Sequence, residues 1–307
     1  MSVAAVVIGR NEGERLVRCL EALTKVVDHV IYVDSGSSDG SLEVAEKIGA
    51  RTVSLDMDTP FTAARARNAG LMILAANPPE YVQLIDGDCE IDPHWVETAQ
   101  TYMRDYPHIA AVAGRLREKH PEKNLWHRLA DREWDTPIGE TDAIGGIALA
   151  RYDALKEVGG YRDSLIAGEE PEMCVRLREK GWKIWRLDAE MAQHDIAMSN
   201  ASQWLRRCRR AGFAFAEVAT LHRGSPFSIW QKEQRSILVW GALIPVLILF
   251  GTFLLSPYTF LLTLLYPLQA LRLRARGIEF YEVLALIVAK FPQAVGVCKF
   301  WVKHLLG

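Results

Sequence analysis

The stretch Tyr81-Val82-Gln83-Leu84-Ile85-Asp86-Gly87-Asp88 decides how this chain is read. A mostly apolar run that ends in two carboxylates around a glycine reads as a buried strand with a polar carboxyl end. Runs of the same kind recur at residues 3–8, 29–33 and 51–55. Helix-like stretches lie between them at 12–25, 39–48 and 63–76. Gly49 and Asn77-Pro78-Pro79 stand where a helix cap and a helix stop belong. Strands and helices alternating at this spacing predict an α/β fold with a mostly parallel, doubly wound sheet. Ligands in such sheets gather at the carboxyl ends of the strands. Here these are the segments after Ile8, Val33 and Ile85, all dense in Asn, Asp, Ser and Gly.

The 307 residues suffice for one large domain with an appendage. Half are hydrophobic and 24% are charged, the mixture expected of a soluble domain joined to a short membrane part. A net charge of -2 gives no overall nucleic-acid-binding surface. Five dispersed cysteines, with no metal-ligand spacing, read as reduced thiols in the cytosol. The start of the chain has no basic residue ahead of its short apolar run, so it reads as a strand rather than a secretion signal.

Past residue 93 the pattern predicts a helix at 94–103, a strand at 110–114 and a basic, aromatic loop and helix at 119–134. A strand at 142–150 carries Gly145-Gly146, where glycine marks close backbone approach, and a helix follows at 169–180. From Ile237 to Leu271 there is no charged residue. That run is too long for one membrane span and slightly short for two. Ser256-Pro257 near its middle and basic residues at both ends predict a helical hairpin that enters the membrane and returns. Residues 280–305 place Glu282, Lys290, Gln293, Lys299 and Lys303 on one half of a helical wheel, which predicts a helix lying in the interface.

Five clusters carry chemistry. Asp86 and Asp88 end a buried strand and are followed by Glu90 and Asp92. Acids so placed repel one another unless a cation joins them, and carboxylate oxygens suit Mg²⁺ or Mn²⁺ bridging a diphosphate. A second D-x-D, Asp56-Met57-Asp58, lacks that strand and reads as a chance match. In the second cluster, Asp34, Ser37 and Asp39 join a strand to a helix whose first amides can read a base and ribose; Asp39 can also cap that helix. Arg65, Arg67 and Asn68 at a helix start can neutralise phosphate. Glu169 and Glu170 form a pair whose mutual repulsion raises the proton affinity of one, as a general base near neutral pH requires. Arg206, Arg207, Arg209 and Arg210 could meet a leaving diphosphate or anionic lipid headgroups.

In this order, Asn11-Glu12, Asp34 through Asp39, Arg65 through Asn68, Asp86-Gly87-Asp88 and Glu169-Glu170 resemble the motifs of family 2 inverting glycosyltransferases of the GT-A fold. The resemblance covers residues 3–223. It implies a nucleotide-diphospho-sugar transferase domain at 1–223 and C-terminal membrane helices at 224–307, resembling enzymes of exopolysaccharide or lipid-linked glycan assembly. It implies donor contacts from Asn11, Glu12, Asp34, Ser37, Asp39, Arg65, Arg67, Asn68, Asp86, Arg207 and Arg210, metal ligands Asp88, Asp86 and His194, and Glu170, paired with Glu169, as the base.

The chain departs from the family at Asp34-Ser35, where two consecutive acids are usual, and at Glu170, where Asp is usual. Gln203-x-x-Arg206-Arg207 lacks the tryptophan of the processive synthases, which favours transfer of one sugar. The implied partners are a nucleotide-sugar donor, foremost a UDP-sugar, and a lipid-linked or other membrane-borne saccharide acceptor. The implied place is the inner membrane with the catalytic domain cytoplasmic. A polyprenyl-phosphate sugar synthase is the nearest rival and would need no base. A non-catalytic membrane scaffold is the rival from another class.

Overall fold

The computed structural model describes residues 2–306, and its contacts divide the chain into two compact units, Met1–Met198 and Ser199–Gly307. The first unit is built on one mixed sheet. Its strands are β1 (Val3–Gly9), β2 (His29–Asp34), β3 (Arg51–Ser54), β4 (Tyr81–Asp86), β5 (Cys89–Ile91), β6 (Ile109–Glu118), β7 (Gly139–Glu140), β8 (Ala148–Arg151) and β9 (Lys183–His194). They run in the order β3-β2-β1-β4-β8-β6-β9-β5, with β7 also paired to β9. The pairs β3-β2, β2-β1, β1-β4 and β6-β9 are parallel, and β8 is antiparallel to both of its neighbours.

The helices of this unit are α1 (Glu14–Leu23), α2 (Ser41–Ile48), α3 (Ala63–Leu74), α4 (Trp95–Asp105), α5 (Leu125–Glu133), α6 (Tyr152–Glu157) and α7 (Glu169–Glu179). They explain why β1 and β4 are almost continuously apolar. Alternate residues of a strand face opposite sides, and here both sides are covered. Val3, Ala5 and Val7 pack with Leu16, Leu20 and Trp95 in one core, whereas Ala4, Val6 and Ile8 pack with Ala64, Ala66 and Leu71 in the other.

The sequence-based boundaries shift for local reasons. Helix α1 starts at Glu14 rather than residue 12 because Asn11 and Gly13 take left-handed backbone, with φ 55° and 53°. The strand expected over 142–150 is confined to Ala148–Arg151. Strand β6 runs four residues past Gly114, because β9 pairs along its whole extension to Glu118.

The second unit is helical. It comprises α8 (Ala201–Leu221), α9 (Gln231–Leu238), a π-turn at Val239–Leu243, α10 (Ile244–Leu254), a 3₁₀ segment Pro257–Leu264, α11 (Leu265–Arg274) and α12 (Phe280–Leu306). Helix α8, expected with the sheet, clusters with the C-terminal helices instead. Close backbone approach joins it to α12: Gly212 lies against the backbone of Gln293, and Gly296 against that of Arg209 and Phe213. Among the described residues, two stretches are long and apolar enough to cross a membrane, Gln231–Leu254 and Phe280–Leu306. The expected hairpin at 237–271 therefore differs: its return arm is broken into 3₁₀ and a short helix. The long apolar partner is α12, the helix expected to lie in the interface.

Gln83 is the one polar residue of β4 before its terminal Asp86. It is fully buried and its side-chain oxygen accepts the Trp95 indole N–H at 2.9 Å, tying α4 to the sheet. Gln83→Leu leaves that donor unpaired and is expected to cost about 1–3 kcal/mol, read as a lowered thermal midpoint. Adding Trp95→Phe should recover part of the loss, because no orphan donor then remains.

Candidate functional site

Register places the first half of the site. Gly9 pairs with Asp34 and Ile8 pairs with Asp86, so both acids flank the end of β1 on neighbouring parallel strands. Asp34 is buried. One of its carboxylate oxygens accepts the Gly36 and Ser37 amides at 2.9 and 2.8 Å, and the other accepts the Tyr32 hydroxyl at 2.9 Å. The Asn11 amide donates to Ser37 Oγ, and Asn11 Oδ1 accepts the Ser38 amide at 2.8 Å. Asp39 accepts from the Gly13 amide and, at 2.5 Å, from the Ser41 hydroxyl. The Ser41 hydroxyl, helped by the backbone amides of Gly13, Ser41 and Asp39 itself, holds the Asp39 carboxyl below its ordinary range against the opposing effect of burial. Asn11, Asp34, Ser37 and Asp39 thus form one hydrogen-bonded cluster that ties the loop after β1 to the loop after β2.

Arg67 organises the second half. It projects from α3 with 2% of its side chain exposed and meets three carboxylates: Asp86 at 2.8 Å, Glu169 at 2.9 Å and Glu170 at 2.8 Å. Its guanidinium also lies 5.6 Å from the centre of the Tyr161 ring. A guanidinium has five donors in a planar fork, so one group can join acids from two elements. Glu169 and Glu170 open α7. Gly146 lets the backbone pass: a Cβ there would stand 2.9 Å from both Arg67 Nη2 and Asp86 Oδ2. Burial pushes the Glu170 carboxyl up to about 7; the Arg67 charge opposes this, while Glu169 and Asp86 reinforce it.

Beside this cluster, Asp88 Oδ2 lies 3.3 Å from His194 Nε2, and Cys89 Sγ is near both. Burial alone would lower the imidazole pKa. The hydrogen bond to Asp88 and the nearby Glu118 carboxylate outweigh it and push His194 up to about 9. Hard carboxylate oxygen with imidazole nitrogen suits a divalent cation such as Mn²⁺. Burial drives the Cys89 thiol well above its ordinary value, so it stays protonated and is a poor ligand. His194 Nδ1 is buried and makes no hydrogen bond, an orphan that fits a ring left ready for a further partner.

Other expected site residues lie elsewhere or serve another purpose. Arg65 donates to the carbonyls of Asp56, Thr59 and Pro60, and Asn68 ties itself to Tyr161 and Asp163. Both hold loops at the rim. Glu12 pairs with Arg15 at 2.5 Å, and burial, then the Asp88 charge, raise its carboxyl. Arg207 and Arg210 lie on α8 of the second unit. The second D-x-D is an exposed turn in which Asp56 accepts the Asp58 amide. Arg67 is a buried counter-ion rather than the phosphate ligand its motif predicts, and Glu118 and Tyr161 join the site from outside every motif. No spacing rule marks them, because each acts across a gap in the chain.

The family model described as glycosyl transferase family 2 matches residues 4–159. A pre-mycofactocin glycosyltransferase of Mycobacterium tuberculosis is 25% identical over 99% of this chain, which spans 66% of that protein, just under two thirds of its length. The succinoglycan biosynthesis protein ExoA of Rhizobium meliloti is 27% identical over 58% of this chain and 58% of its own. Among solved structures, the mannosyltransferase PcManGT of Pyrobaculum calidifontis, in complex with GDP-Man and Mn²⁺, shares the fold. Its TM-score is 0.66 and its identity 16%, over 97% of this chain and 86% of that one. The chain belongs to glycosyl transferase family 2.

Proposed function

We propose that this protein is a membrane-anchored, metal-dependent glycosyltransferase. It moves a single sugar, with inversion, from a nucleotide-sugar donor to a hydroxyl of a lipid-linked acceptor in cell-surface glycan synthesis. The observation that carries this reading is the Arg67 cluster, in which Glu170 has a pKa near 7 and 12% of its side chain exposed, next to the Asp88–His194 pair. A carboxylate with that affinity is protonated and deprotonated with equal ease at neutral pH, as a general base needs.

Asn11, Asp34, Ser37 and Asp39 are the proposed nucleoside contacts, and Asp86 and Asp88 face the donor diphosphate. A divalent cation held by Asp88 and His194, Mn²⁺ or Mg²⁺, would offset the charge of that diphosphate as it leaves. Glu170 takes the proton of the acceptor hydroxyl as it attacks the anomeric carbon from the side opposite the diphosphate. Glu169, more deeply buried on Arg67, keeps its neighbour's proton affinity high. A phosphate acceptor needs no base, so Glu170 favours a hydroxyl. A UDP-sugar is the first donor to test, and the GDP-Man of the archaeal mannosyltransferase makes GDP-mannose the second.

The sheet unit performs the chemistry in this reading, and the helical unit anchors it. Phe250, Phe253, Leu254 and Phe260 expose more than half of their surface, as they would facing lipid. Arginines beyond both ends of the apolar run favour cytoplasmic flanks, hence a cytoplasmic catalytic unit at the inner membrane.

Asp88→Asn is expected to abolish metal-dependent donor hydrolysis with the thermal midpoint kept, and Asp58→Asn to leave hydrolysis unchanged. Equal loss in both would sink the assignment. Glu170→Gln should cut transfer by about 10²-fold or more while donor binding survives. Because the base is the deprotonated form, the wild-type transfer rate should fall as pH drops below about 7, and the variant should lose that limb of the profile. Topology is checked by labelling single cysteines placed near residues 225 and 278 in sealed inner-membrane vesicles. Both should react from the cytoplasmic side if residues 237–271 enter and return between their basic flanks; opposite sidedness would refute that hairpin and leave Gln231–Leu254 and Phe280–Leu306 as the two spans.

A further inference from the structure

Glu118 lies outside every motif and is the last residue of β6. Its side chain is completely buried, yet several polar groups converge on it. His127 Nδ1 lies 2.9 Å away, and the amides of His120 and Ile196 each donate at 3.2 Å. Its own amide donates to Asp131 of α5 at 3.0 Å, so both ends of the residue are fixed to the same helix. A buried carboxylate this well supplied with donors stays ionised and does not move.

Strand register gives it a target. Glu118 pairs with His194 across β6 and β9, and His194 pairs with Cys89 across β9 and β5. Paired residues in a sheet share a face. One row across three strands therefore sets Glu118, His194 and the residue next to Asp88 side by side. Within that row, Glu118 Oε2 stands 3.8 Å from His194 Nδ1, the buried nitrogen that makes no hydrogen bond. The other ring nitrogen faces Asp88 at 3.3 Å, and Trp134 packs edge-on to the ring at 4.7 Å.

Resting on the metal reading above, we propose that Glu118 is a positioning residue. It accepts the Nδ1–H of His194, so that when the ring gives up the Nε2 proton it now shares with Asp88, the tautomer and tilt present the Nε2 lone pair to a divalent cation shared with Asp88. Imidazole can offer only one nitrogen lone pair while the other carries hydrogen, and a carboxylate behind the ring selects which. The observed 3.8 Å is too long for a hydrogen bond, so the ring has a short tilt still to make, and the Trp134 edge restricts which way it turns. Glu118 touches no donor atom in this scheme; its effect passes through His194.

The test measures Mn²⁺ binding to the full chain in detergent by the spin-resonance signal of free Mn²⁺, together with the thermal midpoint without metal. Glu118→Gln is expected to weaken Mn²⁺ binding about 10–100-fold, the scale for losing such a partner. Gln83→Leu serves as a control: it lowers stability from a position in β4 unconnected with His194 and should leave Mn²⁺ affinity unchanged. In a His194→Gln background, Glu118→Gln should add no further loss. Should Glu118→Gln fail to fold, Glu118→Asp keeps a carboxylate in the cluster but draws it back by one methylene from His194 Nδ1, already 3.8 Å away, and it too should bind Mn²⁺ more weakly. Wild-type affinity in the variant that folds, or a loss no larger than that of Gln83→Leu, overturns the proposal. A wild-type protein that binds no Mn²⁺ overturns the metal reading itself, whereas normal wild-type binding with an indifferent Glu118 overturns this inference alone.

Discussion

A guanidinium with 2% of its side chain exposed must be neutralised where it lies, because an unpaired charge in the interior costs several kcal/mol or more. Arg67 meets that demand with Asp86 from the end of β4 and Glu169 and Glu170 from the start of α7. Each carboxylate alone would be costly to hold in that half-buried place, and the three together would repel. The arginine makes their assembly possible, and their number makes its burial possible. Without it, the acids on the sheet and the acids on the helix would have no reason to stay within one site.

The same constraint sets the proton affinity of Glu170. One positive charge shared by three acids does not hold all of them ionised, so burial prevails at the residue where the balance is weakest and its pKa rises to about 7. At Asp88, by contrast, the His194 hydrogen bond overcomes burial and lowers the carboxyl pKa. Two acids on neighbouring elements thus end with opposite tendencies, one keeping a proton near neutrality and one giving it up. Such divergence between nearby titratable groups is the arrangement that acid–base and metal chemistry requires. Close backbone approach at Gly146 leaves room for it, and the tethers from Arg65 and Asn68 hold the surrounding loops.

The helical unit answers a different physical problem. Its helices bury a modest core around Phe213, Ile237, Val297 and Phe300, while much of its remaining aliphatic and aromatic surface faces outward. Water penalises such a surface. In lipid the penalty vanishes, and packing then depends on close backbone contact between small residues. Gly212 and Gly296 supply that contact between α8 and α12.

Much of the fold was legible along the chain. The four parallel strands β1 to β4 and the helices α1 to α3 follow from apolar runs and helix stops, because a strand covered on both faces must be apolar throughout. Acids at strand ends follow from the same pattern, so Asp34, Asp86 and Asp88 could be named from sequence, as could the paired Glu169 and Glu170. Strand β9 was not legible, since Arg186, Asp188 and Glu190 interrupt its pattern and its pairing with β6 spans many residues. Glu118 stayed hidden for that reason: its meaning comes from the strand beside it. The role of Arg67 was hidden too. Sequence fixes that an arginine stands on a helix near acids in the chain, but whether it meets a ligand or the protein's own carboxylates depends on burial. Burial is a property of the packed chain, decided by α3 and α7 closing over the sheet, and no local pattern of residues encodes it.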